Sequence, residues 1–248
     1  MRRGIGLFVT ISLGMLIVLE LPPVVHALSQ AEIFRVVDVS VEGAQHLTRD
    51  EVLTAAAIPA RMSIWDEMEP LAVRLRSHPL IREVRIRRRL PRRLVLQVWE
   101  REPVALLPRP TLTPVDREAH LLPISPVGRR MDLPLLQPRR DDGAEGTELT
   151  PVQLRELTSE LSRLGELDPA VLALVSEVAL DSWGDILVHL GQPRVTLRYR
   201  APLVPARLSD GLRVLTDALE REPDRTLVSV DLRFADQVVV RFFDSQGR

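Results

Sequence analysis

The first pattern along the chain is an apolar run near its start. Residues 4–25 carry a single charge, Glu20, followed closely by Pro22 and Pro23. A helix that spans a bilayer needs about 20 mostly apolar residues, and a carboxylate near its end can stay hydrated at the interface. The run therefore predicts a transmembrane helix over residues 4–25.

The charges beside this run predict its orientation. Arg2 and Arg3 favour a cytoplasmic position for residues 1–3 by the positive-inside rule, which places the rest of the chain on the other side of the membrane. The alternative is a cleaved signal peptide, because Val25-His26-Ala27 precedes a polar stretch. Both interpretations export the body of the protein.

Residues 34–103 predict one α+β domain with the order β-α-α-β-β. Apolar residues alternate over 35–42, and Thr48 with Glu51 has the spacing of a capping box that opens a short helix. A second helix is predicted over about 70–77. A hairpin follows that turns at 90–93. Its inner face is expected to bury four side chains against Leu53 and Leu71: Val84, Ile86, Leu96 and Val98.

Residues 104–246 predict a mixed β domain with two helices. Short strands are expected in a proline-rich part, at 104–107, 112–115 and 120–122. Thr150 and Pro151 predict the start of a helix that Gly165 ends, and leucines at helical spacing predict another over about 208–219. The remaining predicted strands are 175–181, 185–190, 195–198, 227–234 and 237–243. The fold class of the exported part is therefore α+β.

Composition removes much of the catalytic repertoire. The chain has no cysteine, and all 33 of its basic residues are arginine, which excludes thiolate metal sites, cysteine nucleophiles and lysine Schiff bases. The remaining candidate groups show no catalytic spacing: Asp66, Glu67, Glu69, Asp141, Asp142, Ser182, His189 and Ser209. We expect no catalytic residue, metal, cofactor or small-molecule substrate.

The arginines at 82–93 form the most basic segment of the chain. They suit the phosphates of nucleic acid or of lipid headgroups, or else a solvated strand face balanced by Glu83, Glu100 and Glu102. An exported domain does not meet nucleic acid, and only 4% of the residues are aromatic, which is sparse for base stacking. Nucleic acid is therefore not an expected partner.

The final strand, predicted over 237–243, is strongly apolar and lies almost at the end of the chain. Its apolar residues are Val238, Val239, Val240, Phe242 and Phe243. A late apolar strand suits either an ordinary core strand or a sheet edge that pairs with a partner strand.

Several segments, taken in order, resemble the FtsQ/DivIB family of bacterial cell-division proteins. The resemblance begins with the basic start and the single apolar span. It continues through Phe34-Arg35-Val36-Val37-Asp38-Val39-Ser40-Val41-Glu42-Gly43, Leu47-Thr48-Arg49-Asp50-Glu51-Val52, His78-Pro79-Leu80-Ile81, Leu90-Pro91, Glu100-Arg101-Glu102-Pro103-Val104-Ala105, Val115-Asp116-Arg117-Glu118-Ala119 and Val230-Asp231-Leu232-Arg233-Phe234. Ala119 stands where the family turn usually has Gly, and Phe234 where some members have Tyr.

The resemblance implies a POTRA domain over 34–103, a β domain over 104–246 and a non-enzymatic scaffold of the division machinery. Such a scaffold links early and late division proteins at the septum, from the inner membrane, through the FtsB and FtsL pair. The partner-binding residues it implies are Arg233, Phe234, Val238, Val240 and Phe242. The alternative function is that of a POTRA-containing accessory protein in envelope assembly or secretion.

Overall fold

The computed structural model describes residues 32–108, 111–126, 131–138 and 148–243. They belong to two compact units, the first ending at Arg101 and the second beginning at Glu102. The predicted transmembrane helix at 4–25 and the tail at 1–3 lie outside the described residues. Within the described ranges, no helix combines the length and apolar character that crossing a bilayer requires.

The first unit has the predicted order β-α-α-β-β. After a 3-10 turn at Glu32–Phe34 come β1 (Asp38–Glu42), α1 (Arg49–Ala56), α2 (Glu69–Arg76), β2 (Ile81–Arg89) and β3 (Arg93–Glu100). The sheet order is β1-β3-β2, with β1 parallel and β2 antiparallel to the central β3. The predicted capping box is present, because the Thr48 side chain accepts from the Glu51 amide and the Glu51 carboxylate accepts from the Thr48 amide.

The core of this unit forms on the predicted face of β3 but meets a different side of α1. Leu94, Leu96 and Val98 are almost fully buried, because β3 is flanked on both sides. Val84 and Ile86 are only half-buried, since β2 is an edge strand. Leu53 was expected to be the buried residue of α1, but it is only half-buried. The fully buried residues of α1 are Val52 and Ala56.

A glycine fixes the chain path between β1 and α1. Gly43 has φ +86, a left-handed conformation that side chains rarely adopt, and a Cβ there would lie 2.3 Å from the Val98 carbonyl oxygen. The close approach turns residues 45–47 towards the end of β3.

Glu100 holds that turn in place. Its carboxylate accepts hydrogen bonds from the backbone amides of Gln45, His46 and Leu47 at 2.8–2.9 Å. It also lies 2.8 Å from Nδ1 of His46. Burial by itself raises the pKa of Glu100, but the three amide hydrogen bonds outweigh burial, so the pKa of Glu100 falls below its usual range.

This lowered pKa predicts an acid-sensitive first unit. A carboxylate with a depressed pKa stabilises the fold above its ordinary pKa, near 4.3, and loses that contribution as the pH falls through its folded pKa. We expect the protection of the first unit's amides from hydrogen exchange, corrected for intrinsic exchange rates, to fall between about pH 5 and pH 3. Glu100→Gln should flatten this dependence. An unchanged pH profile in Glu100→Gln would assign the acid sensitivity to another group.

The second unit contains eight strands and three helices among the described residues. The strands are β4 (Pro103–Leu107), β5 (Thr113–Asp116), β6 (Leu135–Gln137), β7 (Val175–Leu180), β8 (Ile186–Leu190), β9 (Thr196–Tyr199), β10 (Leu227–Asp231) and β11 (Val239–Phe242). The helices are α3 (Pro151–Leu167), α4 (Pro169–Leu172) and α5 (Pro205–Arg221). The sheet order is β11-β10-β9-β8-β7-β6-β4-β5, and one core joins its inner face to the three helices.

This unit departs from the predictions in several places. The strand predicted over 227–234 ends at Asp231, so Phe234 lies outside it. The strand expected at 120–122 is reduced to one bridge between Leu121 and Val115, and β6 and α4 were not predicted. Gly165 does not end α3, which continues to Leu167. It lies inside the helix, and a Cβ there would lie 2.7 Å from the Leu172 side chain.

The turn after β5 shows how the chain manages without the family's glycine. Ala119 takes φ 66, and Asp116 stabilises this turn by accepting from the amides of Glu118 and His120 at 2.9 and 2.7 Å. The backbone strain expected from the alanine is therefore present and is offset by local hydrogen bonds.

Candidate partner-binding edge

The last strand of the chain is an edge of the eight-stranded sheet. β11 pairs with β10 in antiparallel register, with Val240 opposite Val230 and Val239 opposite Asp231. No other described strand pairs with β11. One side of its backbone is therefore open to a strand from another molecule.

The direction of the backbone groups identifies which amides face outward. The Phe243 amide donates to the Thr226 carbonyl at 2.7 Å, on the side of β10. Backbone groups alternate in direction along a strand, so those of Val239 and Arg241 also point to β10. The amide and carbonyl groups of Val240 and Phe242 consequently point to the open side.

Side chains of β11 divide between the core and the surface. Val238, Val240 and Phe242 are partly buried and pack against the core of the second unit. The guanidinium of Arg225 lies 4.3 Å from the centre of the Phe242 ring. Phe243 is 65% exposed and Phe234, in the β10–β11 connection, is 40% exposed. Of the predicted apolar partner-binding residues, Val238, Val240 and Phe242 therefore anchor the edge to the core, whereas Phe234 is exposed beside it.

Arg233 is engaged within the chain. Its Nε and Nη2 donate to the two carboxylate oxygens of Asp231 at 2.9 and 2.7 Å, and its Nη1 donates to Asp185 at 2.8 Å. The hydrogen bonds that Arg233 donates to Asp231 raise the pKa of Arg233 above its usual range. Burial raises the pKa of Asp231, but hydrogen bonding to Arg233 outweighs this and the net shift is downward. Arg233 is thus a positioning residue for the loop that carries Phe234.

Asp185 is the centre of a larger charge cluster, which comprises Asp181, Asp185, Arg198, Arg200, Asp231 and Arg233. Asp185 is 1% exposed, and it lies 3.1 Å from Nη2 of Arg198 and 3.6 Å from Nε of Arg200. Arg198 also pairs with Asp181. The cluster ties the β7–β8 turn to the ends of β9 and β10. It therefore fixes the loop between the last two strands.

Sequence reasoning singled out Arg233 as a partner-binding residue and named no other member of this cluster. Asp181 and Asp185 frame a short turn whose tip, Trp183, is 82% exposed. Their spacing is typical of any polar turn. Only the tertiary fold brings Asp185 to Arg233, 48 positions away in the chain.

The other polar candidates occupy ordinary structural positions. Glu69 pairs with Arg76 at 2.7 Å, and Nδ1 of His189 lies 2.9 Å from the Thr196 hydroxyl. Among the described residues, one group offers three ligand atoms within 4.8 Å of one another, Asp116, Glu118 and His120. Asp141 and Asp142 lie outside the described residues.

Comparison with known proteins gives consistent matches. A family model described as "POTRA domain, FtsQ-type" matches residues 34–101. A cell division protein FtsQ of Rhodothermus marinus is 28% identical over 222 residues, which cover 85% of this chain and 78% of the relative. FtsQ of Syntrophotalea carbinolica is 28% identical over 161 residues, 64% of this chain and 57% of the relative.

A relative with the other family name also matches. The cell division protein DivIB of Geobacillus kaustophilus is 29% identical over 145 residues, which are 56% of this chain and 50% of the relative. This chain therefore spans less than two thirds of the length of some of its relatives, including the Syntrophotalea protein. The first unit thus matches the FtsQ-type POTRA domain, and the chain is similar to curated FtsQ and DivIB cell division proteins over more than half of its length.

Proposed function

We propose that the protein is a non-enzymatic scaffold of the division machinery that binds an FtsB-like and FtsL-like pair. It links early and late division proteins at the septum, with residues 4–25 in the inner membrane and both units on the extracytoplasmic side. The observation that carries the proposal is the open edge of β11, which lies where the family resemblance puts its partner-binding segment.

The chemistry of the edge suits strand addition. An incoming strand would pair with the outward groups of Val240 and Phe242, which gives main-chain affinity without needing a pocket. Partly buried Val238, Val240 and Phe242 hold β11 on the core while it is bound on one side only. The edge is therefore held in place before a partner arrives, which lowers the entropy cost of binding.

Exposed aromatic residues beside the edge would supply side-chain contacts. Phe234 is held by the Arg233 loop, with the guanidinium 5.6 Å from the ring centre. Truncating an aromatic anchor at an interface typically costs about 2 kcal/mol, or roughly thirtyfold in affinity. Arg233 acts mainly by holding this loop, because Asp231 and Asp185 already occupy much of its hydrogen-bonding capacity.

A pair of proline substitutions tests strand addition directly. Val240→Pro removes an amide that faces the open side, so we expect at least about thirtyfold weaker binding of the FtsB-like and FtsL-like pair. Proline is tolerated on an edge strand when the lost amide faces outward, so the melting temperature should fall only by what the lost packing of Val240 costs, and by less than in Val239→Pro. Binding to the full chain in detergent can be measured by thermophoresis.

Val239→Pro is the matched control, because its amide points to β10. It should lower the melting temperature of the full chain as well as binding. Phe234→Ala should weaken binding with intact stability, whereas Phe242→Ala should reduce both. Full binding by the folded Val240→Pro variant would move the partner site away from this edge.

A further inference from the structure

We propose that the β2–β3 hairpin tip is a binding site for anionic phospholipid headgroups. The tip comprises Arg87–Arg93 and lies beside Val37 at the start of the first unit. The proposal rests on the proposed membrane attachment through residues 4–25 and adds a second, electrostatic contact with the same bilayer.

Three arginines of the tip carry charges that no acidic group of the described residues offsets. Arg87, Arg89 and Arg92 are exposed, and none of them has an ion pair within the described part of the chain. Their neighbours are engaged: Arg93 pairs with Asp38 at 2.6 Å, Arg85 lies 3.7 Å from Glu83, and Arg88 donates to the Asp66 carbonyl. Three guanidinium groups therefore remain for an external anion.

The tip also has a shape and an apolar content that suit a lipid surface. A hollow of about 530 Å³ is lined by Val37, Asp38 and the five residues Arg89–Arg93. Leu90 is 61% exposed at the turn and Val37 is 64% exposed beside it. Exposed apolar side chains among arginines suit the boundary between headgroups and acyl chains. There the guanidinium groups can contact headgroups while the apolar side chains contact acyl chains.

Chain connectivity places the tip near the bilayer. The Val37 amide donates to the Arg92 carbonyl at 3.0 Å, so the tip is fixed to the start of the unit. Six residues, 26–31, separate the predicted span from the 3-10 turn at Glu32–Phe34. Even fully extended they reach only about 20 Å. The surface potential of an anionic leaflet acts within about 8–10 Å, so modest tilting of the unit brings the arginines into range.

Phosphate is the headgroup component that arginine recognises. The planar guanidinium binds phosphate oxygens in pairs and stays charged at any physiological pH. Each arginine near an anionic surface contributes about fivefold to binding, so three contribute about a hundredfold. A neutral zwitterionic surface lacks this net attraction, which makes lipid charge the variable to change.

The absence of cysteine from the chain allows a site-specific test. The full chain with Leu90→Cys, labelled with the environment-sensitive dye NBD, is reconstituted in nanodiscs of phosphatidylcholine alone or with 30% phosphatidylglycerol. We expect stronger, blue-shifted emission only in the phosphatidylglycerol discs. The combined change Arg87→Gln, Arg89→Gln and Arg92→Gln should abolish the shift, since the ratio of bound to free tip falls about a hundredfold.

The matched control removes three exposed arginines of the second unit for which the described residues likewise supply no ion-pair partner: Arg155, Arg194 and Arg241. Their replacement by Gln changes net charge equally and should leave the shift intact. Equal emission in both discs, or an unaltered shift in the hairpin variant, would overturn the proposal. So would a shift produced by 10 mM inorganic phosphate in neutral discs, which would indicate a site for free anions. A labelled chain that fails to co-purify with either disc overturns the membrane attachment and this proposal together.

Discussion

Glu100→Ala is expected to destabilise the first unit by about 4 kcal/mol. Three backbone amides at Gln45–Leu47 would lose one buried carboxylate acceptor. An unsatisfied buried amide costs about 1–3 kcal/mol, which applies fully at buried Leu47 and less at the part-buried amides of Gln45 and His46, where water can replace the acceptor. A domain of this size has roughly 4–10 kcal/mol of stability, so the unit would approach unfolding.

Hydrogen exchange measured peptide by peptide in the full chain can localise this effect. Exchange should accelerate across β1, α1 and β3, while the second unit keeps its protection. Glu69→Ala is the matched control, because its ion pair with Arg76 is exposed and should contribute less than about 1 kcal/mol. Similar effects from the two substitutions would mean that the Glu100 contacts contribute no more than a surface pair.

Asp185→Asn is expected to destabilise the second unit by about 3 kcal/mol. The change keeps the shape of the side chain but removes the negative charge that lies among Arg198, Arg200 and Arg233. Removing one partner of a buried ion pair leaves the other charges uncompensated and typically costs about 3–5 kcal/mol. The lower end applies here because the arginines are partly exposed to solvent.

The same substitution should also loosen the loop that presents Phe234. Amide exchange at residues 232–238 should rise together with exchange in β7 and β8. Asp210→Asn provides the comparison, since Asp210 forms two ion pairs with arginines on the more exposed α5 surface; its replacement should cost no more than about 1 kcal/mol. If loop exchange stayed at the wild-type level in Asp185→Asn, Arg233 would be held by Asp231 alone.

Local sequence signals predicted most elements of the fold. The Thr48 and Thr150 caps, the alternation in β2 and β3 and the leucine spacing of α5 all act within a few residues, and each formed as predicted. β6 escaped detection because a three-residue strand between prolines has too few positions to show a period. Gly165 predicted a helix end, but α3 continues past it to Leu167. The Leu172 side chain packs close to the position that a Cβ of residue 165 would take.

The candidate site was predictable only in part for the same reason. The apolar character of the last predicted strand suited either a core strand or a sheet edge, and the fold places β11 at the edge. Arg233 donates one of its hydrogen bonds to Asp185, 48 positions away in the chain. The two residues lie close together only because β8 and β10 belong to the same sheet. Local patterns carry no information on such distant partners. They therefore did not indicate that Arg233 donates to Asp185 within the chain.

The inward packing of β11 has a consequence for the cellular abundance of this protein. Because Val238, Val240 and Phe242 are part of the core, fraying of this terminal strand exposes apolar surface that proteases and chaperones recognise. A strand bound along the open edge would suppress fraying, and a ligand at a hundred times its dissociation constant adds about 2.7 kcal/mol of stability. Under the proposed function, copies without a bound strand would be degraded faster than bound ones, so the amount of this protein would follow the supply of the proposed partner.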